Sequence, residues 1–102
     1  MSTFICDFCS EPNVVWQYPA QSFVAYVVDG VVGQSVGDWA ACSVCHRLIE
    51  AGDRTGLLER SLGTLLEKHP NMLAAEADLR DELAAFHRMF FAHQTGAALP
   101  VV

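Results

Sequence analysis

The spacing of apolar positions changes midway along the chain. Val14-Val15-Trp16-Gln17-Tyr18 is rich in β-branched and aromatic residues and predicts a strand, with Pro19 as a bend or edge. Phe23 to Val28, then Asp29-Gly30, then Val31-Val32 predicts a hairpin, because Asp-Gly supplies the positive φ angles of a two-residue turn. Gly33 and Gly37 loosen the next stretch, and Trp39-Ala40-Ala41 returns the chain to Cys42. From Ser43 onward the pattern is helical. A short helix over Ser43–Ala51 stops at Gly52, and Asp53 can cap a second with Leu57, Leu58, Leu62, Leu65 and Leu66 as apolar positions. His69-Pro70 ends that helix. Asn71 can cap a third, running to about His93, with Met72, Ala75, Leu79, Leu83, Phe86 and Phe90 on one stripe. Thr95-Gly96 ends it. The fold class expected is α+β: a small β-hairpin half followed by a helical C-terminal half.

The four cysteines form two identical pairs, Cys6-Asp7-Phe8-Cys9 and Cys42-Ser43-Val44-Cys45. Two C-x-x-C turns in one small domain predict a tetrathiolate metal site. Two intervening residues let both sulfurs of a pair face one ion at about 2.3 Å, and a second pair completes a tetrahedron. Such a site is closed, so its metal holds the fold and offers no coordination position for chemistry. The expected metal ligands are Cys6, Cys9, Cys42 and Cys45, the expected cofactor is structural Zn²⁺, and no catalytic residue is expected. Iron also accepts four thiolates. One domain is expected over residues 1–94, of which 1–52 carry the metal, the hairpin and the first helix and 53–94 form a helical extension. Residues 95–102 read as a flexible tail.

The order C-x-x-C turn, β-hairpin, C-x-x-C, helix resembles a treble-clef zinc finger. Cys6 and Cys9 match that family's knuckle, and Cys42 and Cys45 match its helix start. The zinc ribbon, with both pairs on knuckles, is the near neighbour, and the helical pattern of Cys45 to Ala51 favours the clef. The spacer between the pairs exceeds the common C-x₁₅₋₂₀-C pattern and leaves room for an extra strand. Trp39 to His46, with Leu48 to Asp53, also resembles small uncharacterised bacterial proteins, and that likeness supplies no activity. At the helix start, free backbone N–H groups stabilise thiolates, and His46 and Arg47 can add positive charge beside the sulfurs.

Charge narrows the function classes. The formal net charge is −6, and all six Lys and Arg residues follow Cys45. The segment up to Cys45 carries Asp7, Glu11, Asp29 and Asp38 with no cation, so it lacks the electrostatic footprint of a nucleic-acid binder. An alternative reading uses Arg47, Arg54, Arg60, Arg80 and Arg88 for nucleic acid, provided that they share a face. A redox-responsive zinc switch is another alternative, since C-x-x-C at a helix start is where reactive thiols occur. Cys42 to His46 also matches the haem-attachment pattern, but that reading leaves Cys6 and Cys9 unexplained. The βαβ context of a thioredoxin-like dithiol is absent.

His46, His69, His87 and His93 read as surface or metal-flanking histidines. The sequence holds no phosphate loop, no H-E-x-x-H and no G-x-S-x-G. Arg80 sits among Glu76, Asp78, Asp81 and Glu82, which read as a solvated helix face with helical ion pairing. No apolar run is long enough for a bilayer, nothing at the start reads as a signal peptide, and a cytoplasmic location is expected. The expectation is a non-catalytic adaptor or regulatory protein. Its contact face would be the last helix, through Leu79, Leu83, Phe86 and Phe90, binding a partner or a second copy. Folding that stripe back onto the second helix is the default alternative.

Overall fold

The computed structural model describes residues 5–28, 31–35 and 37–101. Its elements are β1 (Val14–Tyr18), β2 (Phe23–Val28), β3 (Val31–Ser35), β4 (Trp39–Cys42), α1 (Ser43–Glu50), α2 (Arg54–Lys68), a 3₁₀ turn (Pro70–Ala75), α3 (Glu76–His93) and β5 (Leu99–Pro100). The protein is α+β, with a helical C-terminal half. No helix among the described residues is long and apolar enough to cross a membrane.

The strands make two antiparallel sheets, one of order β4-β1-β5 and one of β2-β3. β1 follows the period of two: Tyr18 is buried, Val14 and Trp16 half-buried, Val15 and Gln17 exposed. It pairs with β4 from Tyr18↔Trp39 to Val14↔Cys42, with a bulge at Val15 beside Cys42. The strands next to the two cysteine pairs are therefore bonded to each other. β2 and β3 form a separate hairpin inserted between them, which is what the long spacer contains. The Asp29-Gly30 turn falls outside the described residues.

Three local expectations change. Leu99 pairs with Gln17 and Pro100 with Trp16, so part of the expected tail is an edge strand; Val102 lies outside the described residues. Proline is tolerated there because the edge needs no N–H from it. Asn71 caps no helix: Pro70, with its fixed φ, opens a 3₁₀ turn, and α3 begins only at Glu76 without a side-chain cap. His87 is not a surface residue, being 5% exposed.

The helix boundaries have plain causes. Gly52 at φ +70° ends α1, its N–H bonding Ile49 O at 3.0 Å. Asp53 caps α2, its carboxylate accepting from Gly56 N at 2.9 Å. A Cβ at Gly56 would collide with that carboxylate, whereas one at Gly63 meets nothing within 4 Å. Gly63→Ala is therefore expected to stabilise the protein by about 0.5–1 kcal/mol in urea unfolding, and Gly56→Ala to return less because its cap is displaced. Equal gains from both would contradict the cap.

The core joins the two halves. Phe8, Tyr18, Phe23, Trp39 and Phe90 are buried together, and Leu57 from α2 packs with them. Phe90 is fully buried and meets Phe8 at 5.1 Å, Trp39 at 4.8 Å and Tyr18 at 5.9 Å between ring centroids. Phe86 packs on Trp39 and Phe23. The C-terminal end of α3 is tied to the strand region by Gln21 N to His93 O at 2.8 Å and Thr95 N to Pro19 O at 2.9 Å.

Candidate metal centre

The first cysteine pair sits on a turn that folds back on itself. Ser10 N donates to Cys6 O and Cys6 N donates to Glu11 O, both at 2.9 Å. Ser10 takes φ +65° to close the turn. Asp7 N donates to Ala40 O at 2.9 Å, and Ala40 N donates to the Asp7 carboxylate at 2.7 Å, so the turn is bonded to β4 on both sides. Phe8 anchors it from within, its ring contacting Trp39, Phe90, Tyr18 and His87. The second pair opens α1. Cys42 is the N-cap, with Cys45 N 3.5 Å from its sulfur.

These two supports bring the four expected ligands together. The sulfurs of Cys6, Cys9, Cys42 and Cys45 all lie within 4.8 Å of one another, and Cys9 and Cys42 stand 3.7 Å apart. A regular tetrahedron around an ion at about 2.3 Å has sulfur edges of roughly 3.8 Å, so the donor set fits a single metal ion. All four residues are buried, with at most 4% exposed. Fold and site define an α+β protein with a closed four-cysteine cluster able to hold a metal ion.

The electrostatics show what a cation would supply. The neighbouring Cys45 thiol, outweighing the cost of burial, lowers the Cys6 pKa to about 4, helped by the amides of Cys42, Cys9 and Phe8. Cys45 is correspondingly pushed far up, first by its contact with Cys6, then by burial and the surrounding negative charge. Burial pushes Cys9 up to about 11. Thiols this close do not all ionise unaided, and a bound divalent cation is what makes four thiolates compatible in one buried site.

The cation beside the sulfurs comes from elsewhere than expected. Arg47 is exposed. His46 is held away in a network: it stacks on Trp16 at 4.0 Å, and its Nδ1 is 2.8 Å from Tyr18 Oη. That hydroxyl donates to Glu50 at 2.9 Å, so Nδ1–H is the donor to Tyr18. This chain fixes α1 against β1. Instead Arg60, on α2, places Nη2 3.8 Å from the Cys42 sulfur. Burial works against its charge, but contact with Cys42 and Cys45 outweighs that and holds the guanidinium protonated. Thr64 donates to Cys9 O at 2.6 Å, and Lys68 donates to Ser10 O. One face of α2 thus clamps the first turn and neutralises the second. Arg60, Thr64 and Lys68 recur at steps of four, the only sequence signal that could have found them.

The other expected candidates do not converge. His69 is exposed at the end of α2, and His93 stacks on Phe23. Arg80 pairs with Glu59 and Glu76, while Asp78, Asp81 and Glu82 are exposed. No family model, no curated protein and no solved structure matches the chain.

Proposed function

We propose that this protein is a non-catalytic adaptor or regulatory module whose cysteine cluster holds one structural Zn²⁺ in a treble-clef-like arrangement. The observation that carries the reading is the burial of all four sulfurs within 4.8 Å of one another. Four thiolates fill a tetrahedral zinc and leave no position for substrate. A first cysteine pair on a turn and a second at a helix N-terminus support the clef over the ribbon. Burial of the thiols counts against rapid oxidant release. Engagement of Arg60 and Arg80 within the chain counts against a continuous basic face for nucleic acid.

The contact surface is the remainder of the last helix and its approach. Phe90 and much of Phe86 belong to the core, which leaves Leu79 and Leu83 half-buried, with Leu73 62% and Met89 38% exposed. The role therefore falls to one face of α3, for a partner or a second copy in a reducing compartment.

Native mass spectrometry of protein purified without added metal tests the site. One zinc per chain is expected, and four free thiols without metal would overturn the reading. Leu83→Asp tests the surface in the same instrument. A folded, zinc-loaded protein that loses its partner or dimer mass identifies the face as an interface. Loss of helical circular dichroism makes Leu83 core, and an unchanged mass with an unchanged fold contradicts the assignment.

A further inference from the structure

A second feature lies outside the metal centre, between α2 and α3. Arg54, Thr55, Leu58, Ala84, His87, Arg88 and Phe91 line a cavity of about 160 Å³ that opens to solvent. Its walls are mostly apolar, and its charged members are both cations. Of the six Lys and Arg residues, Arg60, Lys68 and Arg80 are engaged at the cysteine turns or with Glu59 and Glu76. Arg54 and Arg88 have no carboxylate partner among the described residues, yet both border this cavity. In a chain of net charge −6, two guanidinium groups without carboxylate partners bordering one apolar hollow favour an anion there. The Phe91 ring holds one of them in place, with Arg54 Cζ 3.9 Å from its centroid.

The buried His87, which borders the cavity, adds a second recognition element. Ser61 Oγ donates its one proton to Leu57 O at 2.9 Å. The contact between Ser61 Oγ and His87 Nε2, at 3.4 Å, is therefore donated by the imidazole. This assigns the proton to Nε2 and leaves Nδ1 an acceptor with no partner among the described residues. Burial lowers the His87 pKa to about 4, so the ring is neutral at pH 7 and offers that lone pair rather than a charge. Two cations and a neutral acceptor border one cavity, which calls for an anion and a hydrogen-bond donor on the same small molecule.

We infer that this cavity binds a small organic carboxylate that also carries a hydroxyl or N–H donor on a short apolar body. Its carboxylate meets Arg54 and Arg88, its apolar carbons lie on Leu58, Ala84 and Phe91, and its donor bonds His87 Nδ1. The volume of about 160 Å³, open to solvent on one side, suits a small molecule with a short apolar body.

Two-dimensional amide NMR of the full metal-loaded chain tests this, with α-hydroxyisovalerate as the probe. Saturable shifts confined to residues 54–58 and 84–91 are expected. Isovalerate, which lacks the donor, is expected to bind roughly tenfold more weakly because His87 Nδ1 is then left unpaired. Arg88→Gln, a change at an exposed side chain, is expected to weaken the probe roughly tenfold with no change in melting temperature. The inference is overturned if the probe gives no saturable shift, if inorganic phosphate displaces it as well as isovalerate does, or if Arg88→Gln leaves its affinity unchanged.

Discussion

Cys45→Ser is expected to abolish metal binding and unfold the protein. Cys45 is fully buried and belongs to the sulfur cluster, and a serine hydroxyl does not ionise to replace a thiolate. Structural zinc contributes about 10–16 kcal/mol in small zinc domains, as much as or more than the roughly 5–15 kcal/mol by which whole domains are stable. Without a full set of thiolates around one cation, the turn is left to its bonds with β4 and α2 while the remaining buried sulfurs lose the charge that compensates them. Loss begins in the metal half, at the turn of Cys6 to Cys9 and the start of α1. It extends to the helices, since Phe8 and Trp39 are the surface on which Phe90 packs. The variant is expected to show no zinc by native mass, loss of the near-ultraviolet Trp signal and collapsed amide dispersion. A strong chelator should reproduce all three in the wild type. A Cys45→Ser protein that keeps zinc and the wild-type melting temperature would sink the four-cysteine site.

Phe90→Ala is the second large effect. Removing a fully buried phenylalanine costs about 3–5 kcal/mol through lost burial and the cavity left behind. Three ring contacts to residues of the metal half disappear with it. For a domain of this size the melting temperature should fall by at least about 12 °C. Met89→Ala, one residue earlier and partly exposed, should stay within about 0.5 kcal/mol in the same urea titration. The contrast reads whether α3 is integral to the core. Equal, small effects at both positions would mean that Phe90 is not packed as described. Metal binding should persist in Phe90→Ala under native conditions, because no cysteine of the cluster is changed, and this separates it from Cys45→Ser.

Local chemistry made much of this legible. Strand formers at Val14 to Tyr18, the helix start at Ser43, the Asp53 cap and the His69-Pro70 stop all coincide with element boundaries. Each is decided within a few residues, by propensity, capping or a missing N–H. The grouping of Cys6, Cys9, Cys42 and Cys45 was likewise legible, because two-residue spacing makes each pair a chelating turn. Less was legible where pairing crosses long separations. Leu99 and Pro100 have too short a pattern to announce a strand, and only the free edge of β1 makes them one. The bonding of β1 to β4 across the inserted hairpin depends on closure of the cysteine turns.

The α3 stripe shows why periodicity is incomplete evidence. Its three-and-four spacing requires an apolar face, but says nothing of what covers it. Phe90 and Phe86 meet the aromatic residues of the strands, whereas Leu73 and Met89 reach solvent. By itself, then, the sequence determined the pairing of the cysteines into two chelating turns, the order of the first four strands before the helices and most helix ends, since these are short-range consequences of residue type. Only the tertiary structure decided that Arg60, rather than Arg47 or His46, lies against the sulfurs, that His87 is buried beside a cation-rimmed cavity, and that α3 closes the core over the metal half. Those relations join residues far apart in the chain, and packing of the whole molecule selects among partners that local pattern leaves equivalent.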